Sequence, residues 1–174
     1  LGIVMLFKSP DSLKKRLDAK EKECEQKWVV ALSGIMFVAA FVVAGLNFRF
    51  SWHSLPDYVI WIGVVFFLLS YLIYAEVMRE NAFLSRTIEV QENQKVIDTG
   101  LYGIVRHPMY SATLLMFLSM PVILGDVFSF ILFLSYPFII AKRIKGEEAL
   151  LEKELDGYTE YKNKVKYKMI PFIW

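Results

Sequence analysis

The sequence predicts an all-α integral membrane protein: a helical bundle with two long membrane-spanning helices, a short helical hairpin and C-terminal helices at the cytoplasmic surface. Three observations predict this fold class. The 174 residues are 56% hydrophobic and 16% aromatic, and their mean hydropathy of +0.41 exceeds that of an ordinary soluble domain. The charged residues are gathered in blocks between apolar runs. The apolar runs have the lengths that helices need to enter a bilayer.

Two apolar runs are long enough to cross the membrane as helices. Residues 28–48 form a run of 21 residues without a charge, and residues 58–75 form a second run of 18. A helix of about 20 apolar residues covers the hydrocarbon core of a bilayer, which is roughly 30 Å thick. We therefore predict one membrane span in each run.

Two shorter apolar runs follow, at residues 109–124 and 127–141. Between them lies Gly125-Asp126, a dipeptide typical of tight turns, so we expect the two runs to form an antiparallel helical hairpin. Pro121 and Pro137 fall inside its two arms. Because proline removes a backbone donor, each arm is expected to kink at its proline.

The predicted organisation has two parts. Residues 1–84 hold the N-terminal membrane helices and a basic cytoplasmic loop, and residues 85–174 are expected to carry the chemistry. The first residues, LGIVMLF, lack the basic start and the cleavage site of a signal peptide, and we interpret them as the end of a truncated membrane span. The polar stretch 76–106 has the composition of a surface loop, and it is a candidate edge of a cofactor site.

The positive charges predict the orientation in the membrane. Lys and Arg number seven in residues 8–27, one in 47–57, four in 76–106 and eight after residue 141. With four crossings, alternate loops share a side, and 19 of the 20 positive charges then lie on that side. Since cytoplasmic loops are enriched in Lys and Arg, the polar loop and the C-terminal tail are expected to meet in the cytoplasm.

Composition also excludes several classes of function. Twenty basic residues against 18 acidic ones are too balanced for a nucleic-acid-binding protein. The single cysteine, Cys24, excludes a disulfide within the chain, and with only His53 and His107 beside it a His/Cys metal site is not expected. The nine glycines contain no G-x-G pattern, which argues against a Rossmann-type nucleotide site.

The stretch YGIVRHPMY, where the polar loop reaches the hairpin, is the first candidate site. Pro108 suits the first position of a helix. In one interpretation Arg106 extends to lipid phosphates, and Tyr102 and Tyr110 belong to an interfacial aromatic belt. In the other, the helix N-terminus offers unpaired N–H groups and His107 shares a face with Tyr110, so that this end of the helix binds a polar cofactor.

A second candidate site lies just beyond the hairpin. Arg143 and Glu147 are four residues apart, and Glu148 follows at once, so the first two share one helical face. An exposed ion pair of this kind contributes only about 0.3–0.5 kcal/mol and needs no function. Ionisable groups that face the interior of a membrane bundle are costly, however, and are commonly functional.

Together these motifs resemble the isoprenylcysteine carboxyl methyltransferase family and the related phospholipid methyltransferases. The resemblance rests on GLYGIVRHPMYSATLL, preceded by VQENQKVI and followed by RIKGEEALLEKELDGYTEYKNKV, and it covers residues 85–171. It implies that S-adenosylmethionine binds between the hairpin and the C-terminal helices. The cofactor contacts that it implies are Gln91, Gln94, Lys95, Val96, Ile97, Tyr102, His107, Pro108, Met109, Tyr110 and Glu147.

The same resemblance implies that Arg143 orients the methyl acceptor, because a guanidinium presents a planar fork of donors to a carboxylate. The predicted function is methyl transfer to a lipidic or small amphipathic acceptor from the bilayer, such as a prenylcysteine-like carboxylate, without a metal. Two alternatives remain open at this point. One is an NADPH-dependent membrane reductase related to sterol reductases, and the other is a non-catalytic module whose basic tail binds anionic lipid.

Overall fold

The computed structural model describes residues 24–84 and 88–174 of the chain. All regular secondary structure in these residues is helical, and they contain no strand, which confirms the all-α class. The elements are α1 (Cys24–Phe50), α2 (Asp57–Glu80), a 3₁₀ helix (Gly100–Gly103), α3 (Pro108–Ile123), α4 (Val127–Phe133), α5 (Tyr136–Glu154) and α6 (Tyr158–Lys164). The interpretation of residues 1–7 as a truncated span falls outside the described residues, as does most of the basic segment 8–27.

Three segments are long and apolar enough to cross a membrane. They are Lys27–Phe50, Asp57–Glu80 and Val127–Glu154, the last of which combines α4 with α5. Large apolar side chains on the first two face outward, and Trp61 on α2 is 69% exposed. Such surface is stable in contact with lipid and not with water. The protein is therefore an integral membrane protein, and both predicted long spans are confirmed.

The predicted turn at Gly125-Asp126 does reverse the chain between α3 and α4. Gly125 has a φ of +69°, a left-handed conformation that glycine adopts without strain. The Asp126 carboxylate caps α4 by accepting hydrogen bonds from the N–H groups of Phe128 (3.1 Å) and Ser129 (3.0 Å). The Ser129 hydroxyl donates to the carbonyl of Ala40 on α1 (2.6 Å), so the turn is anchored to the first span.

The second arm of the hairpin differs from the prediction. It is not one kinked helix, because α4 ends at Phe133 and α5 starts at Tyr136, with Pro137 in its first turn. Proline fits the first turn of a helix without losing a hydrogen bond, so a new helix begins there. Helix α5 then runs without interruption through Lys142 into the charged segment. One rigid helix thus carries Arg143 and Glu147 out of the apolar region.

The hydrophobic core lies where α3, α4 and α5 meet α1. Its centre is aromatic, and the Phe117 ring lies 4.8 Å from that of Tyr136 in an edge-to-face arrangement. The buried members of this core are Met36, Ala40, Tyr110, Leu114, Phe133, Tyr136, Ile140, Ile144 and Met169. Because Tyr110 and Ile144 belong to it, the core holds α3 and α5 in register directly beside the candidate site.

Helix α2 packs along α3, and the two approach closely at Gly63. A Cβ atom on Gly63 would lie 2.8 Å from Val122 Cγ1. We expect Gly63→Leu to lower the free energy of unfolding by about 1–3 kcal/mol because of this overpacking. Gly34→Leu in α1 is the control, since Gly34 has no neighbouring atom of the described residues within 4 Å. Thermal unfolding in detergent measures both, and equal midpoints would contradict the close contact.

Candidate active site

The N-terminal end of α3 is tied to the C-terminal segment of the chain. The backbone N–H groups of Arg106 and His107 donate to the carbonyl oxygens of Tyr167 (2.9 Å) and Lys168 (2.8 Å). Pro108 then begins α3, as its position before the apolar run predicts. These backbone bonds place the Arg106 and His107 side chains against α5.

A buried carboxylate, that of Glu148, gathers three basic side chains at this point. Its Oε1 accepts from Arg106 Nε (2.8 Å) and lies 3.2 Å from His107 Nε2, while its Oε2 lies 3.1 Å from Lys168 Nζ. Arg106 Nη1 also donates to the carbonyls of residues 165 and 166. Arg106 is only 6% exposed, so its predicted extension to lipid phosphates is wrong. We call these four side chains the Glu148 cluster.

Glu147 contacts Tyr110, and its Oε1 lies 3.9 Å from His107 Nδ1. The Tyr110 hydroxyl donates to Glu147 Oε2 (2.6 Å) and accepts from Arg143 Nε (3.1 Å). The His107 ring stacks on Tyr110, with 5.7 Å between ring centres. The predicted partners Arg143 and Glu147 are therefore linked through a tyrosine hydroxyl of another helix, and the Glu147 side chain keeps 27% of its surface exposed.

The opposite wall is built around Tyr102 in the 3₁₀ helix. Its hydroxyl accepts from Asn81 Nδ2 (2.9 Å), and its carbonyl accepts from the Tyr161 hydroxyl (2.7 Å). Glu80, at the end of α2, accepts from the N–H of residue 101 (3.0 Å). Gly100 allows the Glu80 carboxylate to lie this close to the 3₁₀ helix, because the φ of Gly100 is +50° and an added Cβ would overlap that carboxylate.

A cleft opens between these two walls. The volume that the centre of a water molecule can occupy inside it is about 100 Å³. One water needs roughly 10–15 Å³ on this measure, so the cleft is larger than a water site. Arg143 lines it, together with nine of the eleven predicted cofactor contacts: Gln94, Lys95, Val96, Ile97, Tyr102, His107, Met109, Tyr110 and Glu147. Gln91 and Pro108 do not line it. Gln91 Nε2 donates to the Phe83 carbonyl (2.5 Å), and Pro108 is buried in the start of α3.

Sequence reasoning missed a second group of lining residues. Five of them follow α2, one is on α5, and three come from the end of α5 and from α6. These residues are Asn81, Phe83, Leu84, Ile88, Glu89, Leu151, Leu155, Tyr158 and Tyr161. Tyr158 and Tyr161 lie in the stretch RIKGEEALLEKELDGYTEYKNKV, which carries part of the family resemblance, and this stretch was the available signal for this wall.

Burial keeps the tyrosines of the cleft protonated. It raises the pKa of Tyr102 to about 12, and it raises the pKa values of Tyr158 and Tyr161 further above their ordinary value of 10. The Tyr158 hydroxyl is buried, and no described residue provides it with a hydrogen-bond partner. A ligand in the cleft would therefore meet neutral phenol groups.

These raised pKa values predict a loss of stability at alkaline pH. A phenol whose pKa is raised by folding contributes fully below the unfolded pKa, about 10, and this contribution is lost as pH rises through the folded pKa. We expect the thermal midpoint in detergent to fall above about pH 10, and to fall less steeply for Tyr158→Phe. This substitution removes one such phenol without breaking a hydrogen bond among the described residues. If the thermal midpoint of Tyr158→Phe falls with rising pH as steeply as that of the wild type, the raised pKa assigned to Tyr158 is contradicted.

Comparison with known proteins is informative for this region. The model of the phospholipid methyltransferase family matches residues 58–156, more than half of the chain. The chain belongs to the phospholipid methyltransferase family. The matched residues run from the second residue of α2 to beyond the end of α5, and they include Tyr110, Arg143 and the Glu147-Glu148 pair. The resemblance inferred from the sequence motifs is thus confirmed at the level of the family.

This member of the phospholipid methyltransferase family is also similar to the delta(14)-sterol reductase TM7SF2 of Mus musculus. The two are 29% identical over 91 residues, which is 51% of this chain and 22% of the reductase. The chain thus spans about a fifth of that relative's length. At 29% identity and with only part of each chain matched, this similarity does not favour the reductase alternative over membership of a methyltransferase family.

Proposed function

We propose that the protein transfers the methyl group of S-adenosylmethionine to a lipidic acceptor at the cytoplasmic face of a membrane. The observation that supports this most is the Arg143–Tyr110–Glu147 chain, which lines a cleft where α5 leaves the apolar region. Membership of a methyltransferase family supports methyl transfer as the reaction type. The Arg143 end of the chain is assigned to the acceptor and the Glu147 end to the cofactor.

The side chains of the cleft fit the chemistry of this cofactor. The partly exposed Glu147 carboxylate is an acceptor for hydroxyl and ammonium groups, and the Tyr158 hydroxyl has an unused hydrogen-bonding capacity among the described residues. Val96 and Ile97 offer apolar contact for an adenine ring. In the described part of the chain, no three His, Cys, Asp or Glu side chains are grouped to hold a metal ion.

S-adenosylmethionine supplies a methyl group already activated by a sulfonium centre. The protein therefore has to align an acceptor and exclude water, and needs no covalent nucleophile. Tyr110 holds Glu147 in place by a 2.6 Å hydrogen bond, and His107 restricts the Tyr110 ring by stacking on it. These contacts preorganise the cofactor side of the cleft.

Arg143 serves the acceptor in this proposal. It is 9% exposed, and Tyr110 orients its guanidinium through Nε. A guanidinium binds a carboxylate or a phosphate through parallel hydrogen bonds. A carboxylate acceptor, such as that of a prenylcysteine, is already a nucleophile at neutral pH, whereas an amine acceptor first has to lose a proton. The position of Arg143 thus favours an acidic acceptor.

The cytoplasmic location rests on the distribution of charge. Nineteen of the 20 Lys and Arg residues lie in segments that four crossings place on one side. Both walls of the cleft, residues 80–110 and 143–161, are built from these segments and from the helix ends that join them. A water-soluble cofactor would reach the cleft from that compartment.

Isothermal titration of the purified protein in detergent tests the cofactor assignment. We expect heat of binding with S-adenosylmethionine and none with NADPH. Glu147→Ala and His107→Ala should each weaken binding by about tenfold to over a hundredfold, because each removes a charged or polar partner worth roughly 1.5–3 kcal/mol.

Glu152→Ala is the matched control, since Glu152 is an exposed carboxylate on the same helix that pairs with Lys162. Its cofactor affinity should equal that of the wild type. Binding of NADPH in place of S-adenosylmethionine would establish the reductase alternative, and binding of neither would leave the lipid-binding module.

A further inference from the structure

A second concave surface lies on the face of α5 opposite the cleft. It is a groove between α5 and the C-terminal segment, and Lys142, Lys145, Lys162 and Lys168 line it. Trp174 closes one end, and its ring lies 5.3 Å from Lys168 Nζ. We call this surface the lysine groove.

The charges of the lysine groove are only partly balanced. Glu152 pairs with Lys162, and Glu148 pairs with Lys168. Lys142 and Lys145 are exposed, and neither forms an ion pair with any residue of the described chain. Residues 161–174 add four lysines and no acidic residue. The groove is therefore a concave surface with excess positive charge, which favours an anion.

The surroundings of the groove indicate that the anion belongs to a lipid. Lys142 is the first charged residue after the apolar start of α5, at the level where lipid headgroups begin. Phe172 and Ile173, beside Trp174, are 86% and 78% exposed. Phe138, one turn before Lys142, is 79% exposed. Apolar side chains next to a basic groove match a phosphate group that continues into acyl chains.

We propose that the lysine groove binds the phosphate headgroup of an anionic phospholipid, at a site separate from the cleft. Lys142 and Lys145 contact the phosphate, and Phe172 and Ile173 contact the acyl chains. Lys168 belongs to both the groove and the Glu148 cluster, so a headgroup that contacts Lys168 lies next to the side chains that hold the start of α3. The site thereby anchors the cytoplasmic half of the protein to the membrane surface.

The test measures lipid binding to the full chain in a neutral detergent, without cofactor. Dioctanoyl phosphatidylglycerol is the anionic lipid, dioctanoyl phosphatidylcholine has no net charge, and inorganic phosphate is the free anion. We expect phosphatidylglycerol to bind at least about tenfold more tightly than either, and the Lys142→Gln/Lys145→Gln double variant to lose about tenfold or more of that affinity.

Lys153→Gln/Lys166→Gln is the matched control, because it removes the same charge from exposed lysines outside the groove. Its affinity for phosphatidylglycerol should stay within about threefold of the wild type. Circular dichroism confirms that both variants are folded. Equal losses in the two double variants, or equal binding of phosphatidylcholine, would overturn the site, and equal binding of inorganic phosphate would overturn its assignment to a lipid. None of these outcomes bears on cofactor binding in the cleft.

Discussion

Glu148→Ala is expected to lower the free energy of unfolding by about 3–5 kcal/mol, because it leaves buried cations without their counter-charge. Glu148 is 5% exposed and contacts Arg106, His107 and Lys168, which come from two distant segments of the chain. Without its carboxylate, the start of α3 and the C-terminal segment lose their common attachment to α5. Denaturant titration in mixed micelles, followed by tryptophan fluorescence, measures this loss.

The control for this prediction is Glu152→Ala, one turn further along α5. Glu152 and Lys162 form an ion pair whose side chains are 36% and 38% exposed. An exposed pair contributes about 0–1 kcal/mol, so the control should unfold almost as the wild type does. If the two variants unfold at the same denaturant concentration, the Glu148 cluster has no special structural role.

Arg143→Ala is expected to reduce methyl transfer by about a hundredfold, with S-adenosylmethionine affinity within about threefold of the wild type. The rate of methyl transfer by Arg143→Lys should lie between those of Arg143→Ala and the wild type, because lysine keeps the positive charge and loses the planar fork of donors. The readout is transfer of labelled methyl groups to a membrane-lipid extract and to a prenylcysteine analogue, with cofactor affinity measured in parallel.

Lys153→Ala provides the control for removal of a positive charge from an exposed position on α5. Its transfer rate should match the wild type. The division of roles along the Arg143–Tyr110–Glu147 chain depends on this experiment. Loss of cofactor binding in Arg143→Ala would assign the arginine to the cofactor instead of the acceptor.

The membrane spans could be predicted from the sequence because the bilayer imposes a length on every apolar helix. The runs at 28–48 and 58–75 therefore appear in α1 and α2. The break before α5 could not be predicted in the same way. Pro137 is compatible with a kink inside a helix and with the first turn of a new one, and packing of the neighbouring helices decides between them.

The candidate site was predictable where its residues are close in sequence or belong to one family motif. His107 and Tyr110 stack as their spacing within one turn predicts. The pairing of Arg106 with Glu148 joins positions 42 residues apart, and no periodicity indicates such a contact. For the same reason Asn81 was not predicted to hold Tyr102. Contacts of this kind follow from the packing of α2, α3 and α5, which a single sequence does not specify.

The unequal lengths of α2 and α3 leave room for the cleft at one end of the two helices. The start of α2 and the end of α3 are level, because the N–H of Leu55 donates to the carbonyl of Gly125 (3.0 Å). At 1.5 Å per residue, α3 is about 24 Å long and α2 about 36 Å. Helix α2 therefore extends about 12 Å past the start of α3, and the residues that follow it form one wall of the cleft. Extraction of a lipid costs about 0.8 kcal/mol for each CH₂ group. In the proposed reaction the hydrocarbon tail of the acceptor therefore stays dissolved in the membrane, and the cofactor is the reactant that travels.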